Sequence, residues 1–193
     1  RVVVITGHNS EAFDAYPGVT LINHERYRET HSLASLMVAS DEMNEGFLLV
    51  YSDILFDSTI LSHLVNSKAD VVLAIDNSYS YHKHEIDKKL DLVVTRKQFD
   101  PRYRKLKPSE ITELVRIGKD IGIGNADYEF IGLAYFSPRG VEVLRQIYQL
   151  RLLIKLSLYL KIELLIEVLS LKNLPRRIYL QISLTYPMIL LIL

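Results

Sequence analysis

Phe47-Leu48-Leu49-Val50-Tyr51-Ser52-Asp53-Ile54-Leu55-Phe56-Asp57 is an apolar run that stops at one carboxylate, Asp53, resumes, and stops again at Asp57. Its shortness, with Gly46 before it and acids after, reads as a strand buried on both faces. Open α/β sheets bind ligands outside the carboxyl ends of their strands. Asp53 is therefore expected at such a rim. One carboxylate there is the least that holds a magnesium ion on a nucleotide's phosphates. Asp57 reads instead as the N-cap of a helix over Ser58–Val65, whose Ile60, Leu61 and Leu64 share one face.

Upstream, Arg1–Thr6 is a β-branched run ending at Gly7-His8-Asn9, a strand and a turn. A short helix opens at Ser10, and Val19–Asn23 is a second strand. Thr30 to Met43 carries Leu33, Leu36 and Met37 at helical spacing. Downstream, Asp70–Asp76 repeats the strand-then-acid pattern and makes Asp76 a second candidate ligand. Leu90–Thr95, Glu113–Gly118 and Tyr128–Phe136 follow as strands, and Pro138–Tyr148 as a helix. The early alternation of strand and helix predicts a mostly parallel sheet with crossover helices. The stretch from 90 to 136 reads as a β-rich insertion with antiparallel pairing.

Lys and Arg total 23, as do Asp and Glu, so the net charge is zero and nothing points to nucleic acid. The chain has no Cys, which excludes disulfides, thiolate catalysis and Cys-ligated metal. That fits a reducing compartment, and the cytoplasm is the expected location. His82 and His84, with Glu85 and Asp87, sit among Lys83, Lys88 and Lys89 and read as a solvated loop rather than a zinc site. The Gly-rich Ile117-Gly118-Lys119-Asp120-Ile121-Gly122-Ile123-Gly124 stretch lacks the Lys-Ser/Thr of a Walker loop, although Lys119 can reach a phosphate.

Composition changes near residue 150. Of the 43 residues from Arg151 to Leu193, 22 are Leu or Ile, and none is Gly, Ala or Asp. Residues 1–150 are thus read as one domain and 151–193 as an atypical tail. The tail holds no apolar run of about 20 residues, the length a spanning helix needs. Its Ile154–Leu164 alternation is strand-like. A reading-frame shift in AT-rich DNA is the expected source of the bias.

Several segments in order carry a resemblance: Val2–Asn9; Asn23–Tyr27 leading to Thr30–Leu36; Tyr51–Asp57; Asp70–Asp76; Asp91–Thr95; Arg116–Lys119; and Glu129–Ser137. Together they resemble the nucleotidyltransferase superfamily, and within it small cytidylyltransferases that activate phosphocholine or a phosphonate with CTP. Similar domains are fused to phosphoenolpyruvate mutase. The resemblance implies a Rossmann-like (GT-A-like), mostly parallel mixed sheet flanked by helices. It implies Mg²⁺-dependent attack of a phospho- or phosphono-acceptor on the α-phosphorus of an NTP, with CTP the expected donor and pyrophosphate leaving. Asp53 matches the metal-binding and catalytic Asp, and Lys119 a catalytic Lys near phosphate charge. Thr30, His31 and Ser32 match a nucleotide-contacting loop. Asp76, Glu129 and Tyr135 are the acceptor-side candidates. The family's Gly-rich triphosphate loop is expected before Arg1 and its second metal acid in the tail. Neither is present, so the alternative expectation is a non-catalytic nucleotide-binding module that works with, or fused to, another enzyme domain.

Overall fold

The fold is that of a computed structural model describing residues 1–30, 32–81, 90–97, 111–160 and 188–191. Among the described residues there are eight strands: β1 (Val2–Thr6), β2 (Val19–Asn23), β3 (Phe47–Tyr51), β4 (Val71–Asp76), β5 (Leu92–Thr95), β6 (Leu114–Gly118), β7 (Tyr128–Phe136) and β8 (Met188–Leu191). The α-helices are α1 (Ser32–Val38), α2 (Ser58–Val65) and α3 (Pro138–Leu160). Four 3-10 turns join them, including Ser10–Phe13 and Ser78–Tyr81.

All five residues of β3 are buried, as the apolar run predicts. Its side chains alternate between two cores. Phe47, Leu49 and Tyr51 pack with Leu33 and Leu36 of α1 and Val141 and Leu144 of α3. Leu48 and Val50 pack on the opposite face with Leu64 of α2. Phe47 stacks on Phe136 at a centroid distance of 4.7 Å, directly across the β3–β7 ladder. Helices therefore cover both faces of the central strands.

The sheet is not the mostly parallel, Rossmann-like sheet that alternation and resemblance predict. Among the described residues only β1 and β2 pair in parallel. The strands β3 to β7 form an antiparallel array in which β7 pairs with β3, β4 and β5, and β5 pairs with β6. β8 lies between β1 and β3, antiparallel to both. The physical reason is a difference between direction and adjacency. Crossover helices do return β3 and β4 in a common direction, since both run opposite to β7. They do not make the two strands neighbours, because β7 takes the place between them.

Two further expectations are corrected. The helix starting at Pro138 continues to Leu160, through residues read as alternating. Leu and Lys are good helix formers and no Gly or Pro interrupts them, so local propensity carries the helix on. The helix expected over Thr30–Met43 is divided into α1 and a 3-10 turn at Ser40–Glu42. The His82–Asp87 segment lies outside the described residues.

Candidate functional site

The geometry of the site follows from how β7 is shared. β4 pairs with β7 from Phe136 to Glu129, so it occupies one whole edge. β3 and β5 must then divide the other edge. β3 takes Phe136 to Leu133, and β5 takes Glu129 and Tyr128. The carboxyl end of β3 thus meets the start of β5, with Phe130, Ile131 and Gly132 of β7 spanning the junction.

Gly132 makes this junction possible. Its φ is +82°, and a Cβ there would lie 2.3 Å from Cδ2 of Tyr51. The β4–β7 register shifts between Leu73 and Ile75, opposite this glycine. A left-handed residue beside a register shift is the signature of a β-bulge, and bulges re-aim side chains at sheet ends. Here the Tyr51 ring lies over the glycine backbone and meets Phe130 edge-on at 5.6 Å.

Chemistry-bearing residues collect around the junction. Asp53 is exposed in the turn directly after β3. Asp76, the last residue of β4, pairs with Glu129 of β7, and Glu129 pairs on its other side with Leu92 of β5. Leu92 also pairs with Gly118 of β6, so Asp91 and Lys119, one residue further on each strand, face across that ladder. The main-chain N–H of Phe130 donates to the carbonyl of Asp91 at 2.8 Å. Among the described residues these four carboxylates and one ammonium therefore stand at one end of the sheet, and the pleat puts Asp91 and Lys119 on the opposite face from Asp76 and Glu129.

Asp91 is only 7% exposed. Burial pushes its carboxyl up to about 6, the Lys119 ammonium opposes that rise, and the Glu129 carboxylate adds to it. Tyr51 lies close enough to feel two of the acids. Burial raises its phenol, and Asp91 and then Asp53 raise it further. The Tyr51 hydroxyl has no hydrogen-bond partner among the described residues, nor do the buried hydroxyls of Thr6 and Ser32. Thr6 ends β1 and Ser32 opens α1. Asp91, Tyr51 and Thr6 were not singled out from the sequence. The only signal for them is position: two end buried β-branched or apolar runs and one starts a run.

The remaining expected residues are placed as follows. Asp76 accepts from the main-chain N–H of Ser78 at 3.2 Å and from its hydroxyl, so its carboxylate also ties the following turn. The Thr30 hydroxyl donates to the carbonyl of Arg26 at 3.1 Å and lies 2.6 Å from Nε2 of His24. With its one proton given to Arg26, that hydroxyl accepts from Nε2. Burial, helped by Arg26, holds His24 below its usual range, and its main-chain N–H donates to Thr6 at 2.7 Å. Thr30 is thus bound into the turn that closes over the end of β1. His31 lies outside the described residues. Tyr135 pairs with Leu48 and Val72 and packs on the α2 face. Six residues of strand separate it from Glu129, about 20 Å at the usual rise, so it stands apart from the acids.

Among the described residues, no group of three or more His, Cys, Asp or Glu is placed to hold a metal ion by itself. The arrangement fits the other magnesium mode, in which one or two carboxylates share the ion with substrate phosphates and water. No helix of the described residues is long and apolar enough to cross a membrane. No protein-family model matches the chain.

Proposed function

We propose that the chain is a nucleotidyltransferase domain that moves a nucleotidyl group, CMP, from CTP to a small phosphorylated or phosphonate acceptor. The supporting observation is that Asp76, Asp91, Glu129 and Lys119 stand at the same end of β4, β5, β7 and β6, the end at which Asp53 follows β3. An acceptor oxygen attacks the α-phosphorus, the bond to the bridging oxygen breaks, and pyrophosphate leaves. Such a transfer asks the protein mainly for positioning and charge compensation. Magnesium, arriving with the triphosphate, would be held by Asp53 and would offset the charge that develops on the phosphoryl oxygens. Lys119 contributes positive charge at the same rim. Asp76 and Glu129 face the acceptor side, where carboxylates favour a cationic substituent. Thr30 and Ser32 belong to the nucleotide-side segment. The domain works in the cytoplasm, fused to or associated with a second enzyme domain.

The test is pyrophosphate release from CTP and Mg²⁺ with phosphocholine or a small alkylphosphonate as acceptor. Asp53→Asn is expected to abolish turnover while leaving the thermal midpoint within a few degrees. Undiminished turnover in that variant removes the assignment. Micromolar binding of Mg–CTP by calorimetry without turnover selects the non-catalytic nucleotide-binding module instead.

A further inference from the structure

Tyr51 and Asp91 bring two unpaired polar groups to one place. Val50 pairs with Leu133 of β7 and Leu92 with Glu129, so Tyr51 comes opposite Gly132 and Asp91 opposite Phe130. The two positions lie on the same edge of β7, about 7 Å apart along the strand. The pleat turns both side chains to one face, the face on which Tyr51, Val93 and Phe130 pack together. The Tyr51 ring crosses the interval between them. It lies over the Gly132 backbone and meets the Phe130 ring edge-on at 5.6 Å, which carries its hydroxyl toward Asp91. Tyr51 is 8% exposed and Asp91 7%. Among the described residues, neither the Tyr51 hydroxyl nor the Asp91 carboxylate takes part in a hydrogen bond or an ion pair. Lys119 stands on the same face across the β5–β6 ladder, and its charge reaches Asp91, yet no ion pair within 4.0 Å joins them. A buried carboxylate and a buried phenol left without partners are both costly, the carboxylate more so, and such groups call for an occupant.

We infer that the Asp91 carboxylate and the Tyr51 hydroxyl together receive the primary ammonium group of a small amine. A primary ammonium offers three N–H donors. One reaches the carboxylate and another a lone pair of the phenol oxygen, while the positive charge offsets that of Asp91. A neutral hydroxyl can bridge the same two groups but leaves the buried charge uncompensated. A trimethylammonium brings the charge but has no N–H, so both groups stay unpaired, and its methyls need more room. The site goes beyond the nucleotidyltransferase reading, which gives a cationic substituent to Asp76 and Glu129 on the opposite face of the sheet.

The experiment follows both groups directly. The full chain, labelled with ¹³C at aspartate carboxyls and tyrosine Cζ, is titrated with ethanolamine and, separately, with choline. The buffer is neutral, above the value of about 6 to which burial pushes the Asp91 carboxyl. Asp91→Asn and Tyr51→Phe assign the two resonances. Ethanolamine is expected to move both of them along one saturable curve, and choline to move neither. Tyr51→Phe is expected to weaken ethanolamine binding by about threefold or more. Asp91→Asn is expected to abolish it, and Lys119→Met to tighten it by relieving the repulsion between two ammonium groups. A wild-type chain that ignores ethanolamine, or answers choline equally well, overturns the inference without recourse to any variant. So does ethanolamine binding that survives undiminished in Asp91→Asn. The titration contains no nucleotide. Loss of the nucleotidyltransferase reading therefore leaves the amine site standing, and a silent amine titration leaves that reading in place.

Discussion

At the scale of single residues, Gly132 and Asp91 carry the most consequence. Gly132 is left-handed and has the Tyr51 ring against its backbone. Gly132→Ala must relieve both the φ and the clash, so it is expected to lose about 2 kcal/mol or more, read as a lower denaturant midpoint. Asp91 makes stability depend on pH in an unusual direction. Its folded value, about 6, lies above the ordinary 3.8. The folded state therefore holds the extra proton between those values. The stabilisation is complete below about pH 4 and is lost as pH rises through 6, a change on the order of 3 kcal/mol. Asp91→Asn is expected to flatten that part of the stability profile, measured by urea unfolding from pH 4 to 7.5. Asp53 and Asp57 were legible in the chain because each ends or begins an element whose apolar pattern is local. Asp91 was not, because its burial is produced by β3, β6 and β7 meeting around it. Tyr135 shows the opposite limit: its type suits an acceptor pocket, but its register places it on the α2 face.

At the scale of elements, the helix ends behave as their residues dictate. The Asp57 carboxylate accepts from the main-chain N–H of Thr59 at 2.8 Å, and that bond holds it below the usual carboxylate range. Asp57→Ala is expected to lower the thermal midpoint. The deficit shrinks as pH falls through the carboxylate range, because the wild-type cap is then protonated too. The α3 start uses Ser137 as its cap, accepting from Gly140 N–H at 3.0 Å, with Pro138 at the first helical position. Gly140 lies so close to β4 that a Cβ would stand 2.1 Å from the carbonyl of Asp70. Strand and helix existence followed from periodicity, and seven of the eight strands fall in segments read as strands from the chain. The far end of α3 did not follow, since alternating apolar residues of good helix propensity fit either period.

At the scale of the whole molecule, the sheet depends on β8. It supplies partners to β1 on one side and β3 on the other, at the most buried part of the sheet. Removing residues 161–193 would leave two central edges unpaired. The truncated chain is expected to lose its cooperative thermal transition and to elute as aggregate in size-exclusion chromatography. A monomeric, two-state truncated chain would show that β1 and β3 can close on each other. The amino-acid sequence by itself determined seven of the eight strands seen among the described residues and where α2 and α3 begin, that β3 is buried on both faces, that Asp53 stands at its end and that Asp57 caps α2. Those outcomes depend on patterns within a few residues of each other. Only the tertiary structure decided that β7 and β8 lie between strands of common direction, which makes the sheet largely antiparallel. It also decided that Asp91, Lys119 and Tyr51 meet at one junction. Pairing between distant strands is set by which edges are left to be satisfied, and no local pattern records that.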